Sequence, residues 1–343
     1  MRKKAIEDLR RYFLEKVRDY KGDVPLIFDL PKDVLERILF NYFEDGSKTF
    51  STEDEEVLTK INFRNVSFKD FDCRHFDFTG LYGVKLYPTL VFEKSIEDAT
   101  LNGVYLFGGY NDVCIKRADF TGAEGLRCIN PQEIHGHDLS GCTLNGVAFV
   151  GSFKNAIIKG ANFSGSYRAT IDPQILADRN LGDCIFTDVD FNKHSFYGCT
   201  LIGTNFTGSK NAVINPQEVL HKSLYCAKLC DTEVFGSFEN VYIAGTDFTG
   251  SKGAVIDPQG LRDKSLFGTK LCNVEFVGDF DGCSIESADF TGSKGAVIEN
   301  PETCIIDSKT NFTDAKVTDL KAEKIEKDKI KRKIRDSIRK STK

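Results

Sequence analysis

The sequence predicts an all-β repeat: one elongated stack of square coils, with a small helical cap at the N-terminus and a helix at the C-terminus. Three observations carry this. The string Asp/Asn-Phe-Thr/Ser-Gly recurs at Asp77-Phe78, Asp119-Phe120, Asn162-Phe163, Asn205-Phe206, Asp247-Phe248 and Asp289-Phe290, in steps of 42 or 43 residues. Inside that period, Ile61, Val66, Phe71, Phe76, Leu81, Leu86, Val91, Ile96, Leu101 and Leu106 are apolar in strict steps of five. A step of five suits neither the 3.6 of a helix nor the 2 of a plain strand, but it suits a chain that bends once every five residues. The third observation is compositional: 28 Phe beside no Trp and one Met, as if one large ring were chosen repeatedly for stacking.

The predicted parts follow in order. Residues 1–58 form the cap. Ile6, Leu9, Phe13 and Val17 make one apolar helical stripe. A second helix starts near Pro31, a residue suited to a first turn, and buries Val34, Leu35, Ile38 and Leu39. Thr52 and Glu55 read as a capping box for a short third helix. Residues 59–317 form the coils. Short runs keep the five-residue step in later copies, as in Leu176, Leu181, Phe186 and Phe191, or Leu261, Leu266, Leu271 and Phe276. Two residues before such positions stand small or apolar residues that also face inward, such as Ala118, Cys142, Ala161, Cys184 and Ala227. Residues 318–343 form a basic tail, helical in its four-residue spacing of Ile330, Ile334 and Ile338.

Ala118-Asp119-Phe120-Thr121-Gly122, Ala161-Asn162-Phe163-Ser164-Gly165 and Ala288-Asp289-Phe290-Thr291-Gly292 resemble the Ala-(Asp/Asn)-Leu-X-X motif of the pentapeptide-repeat family. The resemblance spans about residues 61–317 and implies a right-handed quadrilateral β-helix. The chain departs from the family pattern: Phe or Val often replaces Leu, Ala is often absent, and the period exceeds 40. The excess reads as two insertions per double coil. One is the Gly-Ser-Phe segment, where the apolar step widens from Phe149 to Ile158; the other precedes Ile-X-Pro-Gln, between Phe163 and Ile171.

Charge is uneven. The net charge of -5 divides into -3 for residues 1–59, -9 for 60–320 and +7 for 321–343. Eleven Cys, no CxxC pair and no apolar leader point to reduced thiols in the cytoplasm. No apolar run of membrane-spanning length occurs. His75, His135, His137, His194 and His221 do not recur with the repeat, and no phosphate loop, nucleophile elbow or metal-protease motif is present. The reading is therefore a non-enzymatic protein with no catalytic residues, no metal and no cofactor.

What the repeat does provide is rows. Arg168, Lys210, Lys252 and Lys294 read as one basic row, and Asp119, Asp247 and Asp289 as an acidic one. Each is a candidate for partner binding, and each equally reads as a solvated edge that discourages strand pairing. The function class is a scaffold that docks a protein partner through coil faces or helical ends. The resemblance adds a second class, a DNA mimic acting on a type II topoisomerase, although the acidic charge is thin beside the duplex's two charges per base pair. A third is a bacterial or phage effector working through the N-terminal helices, where Leu30 to Leu39 is similar to the opening of an F-box. A hydrolase or lyase on the coils would need an acidic or His cluster in one groove. The basic tail leaves nucleic acid, an anionic surface or a homodimer open as partners.

Overall fold

The structure is a computed structural model that describes residues 3–22, 25–26, 31–64, 66–125 and 128–317. The tail with Ile330, Ile334 and Ile338, and Leu30 of the F-box-like stretch, lie outside the described residues. The chain divides into two compact units, residues 1–156 with 164–168, and residues 157–163 with 169–343.

The first unit opens with α1 (Lys3–Arg18). Its stripe packs as the spacing requires: Phe13 and Val17 are buried, while Ile6 and Leu9 are half-buried. Helix α2 (Lys32–Leu39) starts after Pro31 and buries Leu35, Ile38 and Leu39. Arg10 ties the two helices together. Its guanidinium donates to the carbonyls of Ile38, Arg37 and Phe40 at 2.8–2.9 Å, where the end of α2 leaves acceptors without helical partners.

Two expectations for the cap change. A helical segment throughout is replaced by an antiparallel hairpin, β1 (Phe40–Tyr42) with β2 (Lys48–Phe50), Phe40 facing Phe50. Asp45-Gly46 makes its turn: Gly46 has φ +90°, and Asp45 Oδ1 accepts from the Ser47 N–H at 2.9 Å. Helix α3 (Glu55–Thr59) is capped by Asp54, whose Oδ1 accepts from the Val57 N–H at 3.3 Å. Thr52 instead accepts from the Asp54 N–H at 3.1 Å, so it shapes the approach to the helix and not its first turn.

From Ile61 to Val317 the described residues of both units form stacks of coils joined by parallel backbone pairings, the arrangement of a β-helix. In the first unit Asp77, Thr100, Asp119 and Thr143 stand over one another. In the second, Asn162, Ile185, Asn205, Lys228, Asp247, Lys270, Asp289 and Asn311 do so. Regular strands are short pairs, such as β3 (Lys85–Leu86) on β4 (Tyr105–Leu106). The five-residue apolar step faces inward: of the ten residues from Ile61 to Leu106, nine are buried and Phe76 is half-buried. The small residues two places earlier, Ala118, Cys142, Ala161, Cys184 and Ala227, are buried too.

The pairings resolve the long period. Coils alternate between 22–24 residues (Asp77 to Thr100, Asp119 to Thr143, Asn205 to Lys228) and 19–20 residues (Thr100 to Asp119, Ile185 to Asn205, Lys228 to Asp247). The extra residues precede Ile-X-Pro-Gln, as expected. The Gly-Ser-Phe segment, however, is not an insertion. Phe153, Phe238 and Phe280 are themselves buried, so Val234, Phe238 and Ile243 step inward by four and then five residues. This corner is one residue short.

The Ile-X-Pro-Gln segment clamps the Phe corner of the next coil. In Ile-X-Pro-Gln the Asn or Asp side chain accepts from the Gln N–H: Asp172 from Gln174 at 2.9 Å, Asn215 from Gln217 at 3.1 Å and Asp257 from Gln259 at 3.0 Å. The Gln amide then reaches the next coil and donates to carbonyls on both sides of the corner Phe. Gln174 meets Ser195 O and Tyr197 O at 3.0 and 2.9 Å, and Gln217 meets Ser237 O and Glu239 O at 3.0 and 2.8 Å. The clamp forms both at Phe238, where the corner is one residue short, and at Phe196, where the inward step stays at five, so the Gln supplies a donor to the corner carbonyls in either case.

Candidate protein-docking surface

The residues picked from sequence take structural places first. Asp119, Asp247 and Asp289 each accept from the N–H two residues on, at 2.8, 2.9 and 3.0 Å, which makes them turn formers. Asp247 sits between Lys228 and Lys270 and pairs with Lys270 Nζ at 2.9 Å. Burial raises the Asp247 pKa, but the Thr249 and Lys270 hydrogen bonds outweigh it and leave the carboxyl below its ordinary value. Asp289 faces Lys270 and accepts from Asn311 Nδ2 at 2.9 Å. Asp119 lies between Thr100 and Thr143.

The basic row changes membership. Tyr167, not Arg168, occupies the paired register, facing Ala148, while Lys210, Lys252 and Lys294 face Asp190, Glu233 and Glu275. Arg168 falls one place later, at a corner with φ +61° where other repeats carry Asn211, Gly253 and Gly295 at +55°, +80° and +68°. In the second unit, then, acids and lysines alternate from coil to coil. The Asn211 amide and Asn192 N–H hold Asp190 below the usual carboxylate range, with Lys210 adding to the effect.

Three of the five histidines pair with acids of neighbouring coils: His75 with Asp98 at 3.0 Å, His135 with Asp112 at 3.0 Å and His194 with Asp172 at 3.6 Å, while His137 meets the Pro131 carbonyl at 3.1 Å. Among the described residues no group of three or more His, Cys, Asp or Glu could hold a metal ion. All eleven Cys are free. Burial pushes the Cys142 and Cys184 thiols up to about 12, the reverse of an activated nucleophile. Their Sγ atoms donate to Ile115 O and Ile158 O at 2.9 Å.

The first unit carries a surface that these rows did not indicate. Tyr82, Tyr87 and Tyr105 are 40%, 47% and 41% exposed. The Tyr87 ring stacks on Phe107 with centroids 5.2 Å apart, and Tyr105 meets the same ring at 4.5 Å. Arg64 donates to the Tyr82 hydroxyl at 2.5 Å and lies 4.9 Å from its ring centroid. Between Tyr82 and Tyr105 runs a groove of about 610 Å³. Gly83 shapes it: at φ +77° a Cβ would lie 2.6 Å from Arg64 Cγ and 3.1 Å from the Arg64 backbone N, so glycine lets the Arg64 backbone and aliphatic stem lie this close. The signal for this surface lay beside the inward step. Tyr82, Tyr87 and Phe107 each follow an inward residue (Leu81, Leu86, Leu106), and a neighbour of an inward residue points out.

No family model and no curated protein matches the chain. Among the solved structures to which it is similar is a pentapeptide repeat protein, HetL, involved in heterocyst differentiation regulation, from the cyanobacterium Nostoc sp. Strain PCC 7120: 11% identity over 72% of this chain and 88% of that one, TM-score 0.19. Another is QnrB1, a plasmid-mediated fluoroquinolone resistance protein: 14% identity over 65% of this chain and 92% of that one, TM-score 0.18. The coil registers described above, not these overlaps, carry the fold.

Proposed function

We propose that the chain is a non-enzymatic scaffold that docks a protein partner through the aromatic face formed by Tyr82, Tyr87, Tyr105 and Phe107. One observation carries the reading: three exposed tyrosines lie on adjoining coils, and two of them, Tyr87 and Tyr105, pack on the half-buried ring of Phe107. Contiguous exposed rings cost solubility unless something covers them, and Tyr beside Arg is the composition of binding hot spots. The Tyr87 and Tyr105 rings already pack on Phe107 and the Tyr82 ring on Arg64, so little side-chain freedom is lost on docking.

The same proposal takes the coils as the right-handed quadrilateral β-helix that the repeat resembles, in the cytoplasm. The five-residue inward step supports four faces per coil. Among the described residues no helix is long and apolar enough to cross a membrane. The DNA-mimic alternative has less support, because Lys210, Lys252 and Lys294 each neighbour an acid where a mimic needs an unbroken anionic row. The effector alternative loses part of its motif to packing, since Leu35, Ile38 and Leu39 are buried in the cap.

The test is affinity capture from native lysate with the full chain, the double variant Tyr87→Ala/Tyr105→Ala, and a control, Tyr225→Ala, on another exposed ring. Loss of a captured protein in the double variant alone supports the reading. Equal capture by all three overturns it. A crystal structure with left-handed coils would overturn the helix type.

A further inference from the structure

A second groove, of about 620 Å³, lies in the first unit where β2 and α3 meet the first coils. Its floor is apolar, with Phe50 and Leu81 buried and Phe76 half-buried. Its rim is acidic, with Glu53, Glu55 and Asp77 exposed. Neighbouring charges are already matched. Asp54 pairs with Arg18 at 3.1 Å and Glu56 with Lys60 at 2.8 Å. Arg74, the guanidinium in the groove, is held by Asp72 at 2.7 Å and Glu93 at 2.8 Å, and His75 lies 3.0 Å from Asp98. Glu53 and Glu55 have no cationic partner among the described residues, and Asp77 is engaged through the Thr79 N–H at 2.8 Å. An apolar floor with an unmatched anionic rim calls for a cationic chain that also carries aliphatic side chains.

This protein contains such a chain. Residues 321–343 hold 11 Lys and Arg against four Asp and Glu, and Ile330, Ile334 and Ile338 recur every four residues. We propose that the groove takes the basic C-terminal segment of a second copy of this protein, its isoleucines on Phe50 and Phe76 and its cations on Glu53, Glu55 and Asp77. The contact joins different surfaces on the two copies. Exchanged reciprocally it closes a dimer, and passed from copy to copy it builds a ring or an open chain. The opposed charge signs speed encounter and make the contact sensitive to salt.

The experiment uses the full chain in sedimentation velocity at low salt over a concentration series, together with a fluorescent synthetic peptide of residues 321–343 as probe. The expected result is a sedimentation coefficient that rises with concentration and stops rising at about 0.5 M NaCl, where screening is complete within a few ångströms. The peptide binds the full chain, and Glu53→Gln/Glu55→Gln/Asp77→Asn weakens that binding at least about tenfold, the equivalent of about 1.4 kcal/mol. All three side chains are exposed, so the triple variant keeps the fold, which its circular dichroism verifies. A second variant, Ile330→Asp/Ile334→Asp, removes self-association while leaving the groove intact. Peptide binding that the triple variant does not weaken, or a sedimentation coefficient that stays flat with concentration, overturns the proposal.

Discussion

The two units build the same coil and weight the links between coils differently. In the first unit the links between coils include charges on the outside: Arg74 to Glu93 at 2.8 Å, Arg117 to Asp98 and Glu97 at 2.5 and 2.8 Å, Lys94 to Asp112 at 3.3 Å, and His135 to the same Asp112 at 3.0 Å. In the second unit hydroxyls work on the inside. Thr204, Thr246 and Thr310 are buried and donate to Leu181 O, Leu224 O and Ile285 O, 22 to 25 residues earlier, at 2.7–2.9 Å. Fully buried neutral hydrogen bonds are indifferent to salt, whereas exposed ion pairs are not. One backbone plan thus tolerates two chemistries, because both sets of residues sit on the same pair of alternating positions, out and in.

The cores differ as well, and the difference sets the largest expected effect. Phe71 has five ring neighbours, Phe40, Phe50, Phe68, Phe76 and Phe78, with centroids 5.0–6.1 Å away. Phe248 of the second unit has Phe238 at 5.9 Å. Phe71→Ala opens a hole lined by rigid rings and costs about 3–5 kcal/mol. Phe248→Ala falls at the lower end of that range. Urea denaturation of both variants checks the order, and equal losses would show that ring clustering adds nothing to burial.

Next comes the corner clamp. Gln217→Leu keeps the volume and removes the donor to Ser237 O and Glu239 O. The expected loss is roughly 1–3 kcal/mol, the cost of leaving carbonyls short of a donor. Faster amide exchange should follow for residues 238–241, ahead of any change elsewhere. Uniform acceleration along the chain would mean that the corner is held by its Phe alone.

The contrast between units was only partly readable in the sequence. The five-residue step was legible because a coil has one inward residue per face, and Ile61 to Leu106 obey it without interruption. The Gly-Ser-Phe segment was misread because Phe153 breaks the step by one residue, so a missing residue looked like a wide gap. Arg168 joins the basic row on its 42-residue spacing to Lys210, but the repeat is 43 residues long there, from Phe163 to Phe206, so Tyr167 holds the register; spacing alone cannot fix a phase that backbone pairing sets. The hairpin left one signal, Asp45-Gly46, within a stretch whose apolar residues fit either element. The aromatic face was visible as Tyr beside inward Leu, but choosing it over the charged rows required knowing that those charges are matched.

The external charges give the first unit a pH dependence. The Arg117 hydrogen bonds hold Asp98 below the ordinary carboxylate range, and the Arg74 hydrogen bond does the same for Asp72 despite its burial. A carboxylate with a lowered folded pKa contributes its full stability above the unfolded value of about 3.9 and loses it as pH falls through the folded value. In the second unit Asp307 is buried enough to be pushed up, but the Ser287 hydroxyl and N–H hold it at about 2. Below about pH 5, amide exchange should therefore accelerate at residues 93–98 and 112–117 and at residues 285–289 as well, because each carboxylate has a lowered folded pKa. Added salt at neutral pH should loosen the first two segments, which exposed ion pairs hold, and leave residues 285–289 protected, because Asp307 there accepts from the neutral Ser287. Equal loosening of all three segments by salt would refute the difference between the links.

The smallest effect has the opposite sign and probes the interior directly. Ser166, Ser209, Ser251 and Ser293 recur at one inward register, are buried, and their hydroxyls have no hydrogen-bond partner. A buried hydroxyl without a partner carries its desolvation cost uncompensated. Ser251→Ala removes that cost and one polar atom while keeping the Ser251 N–H bond to Phe248 O at 2.9 Å. The variant should equal or exceed the parent in stability, by up to about 1 kcal/mol. Thr246→Val, five residues away, deletes a hydroxyl that is bonded to Leu224 O at 2.7 Å, and should lose about 1 kcal/mol. Thermal melts of the two variants side by side separate a satisfied interior hydroxyl from an unsatisfied one on the same coil. If Ser251→Ala proves as costly as Thr246→Val, a water column fills the serine register, and the interior of the second unit is wetter than its side chains imply.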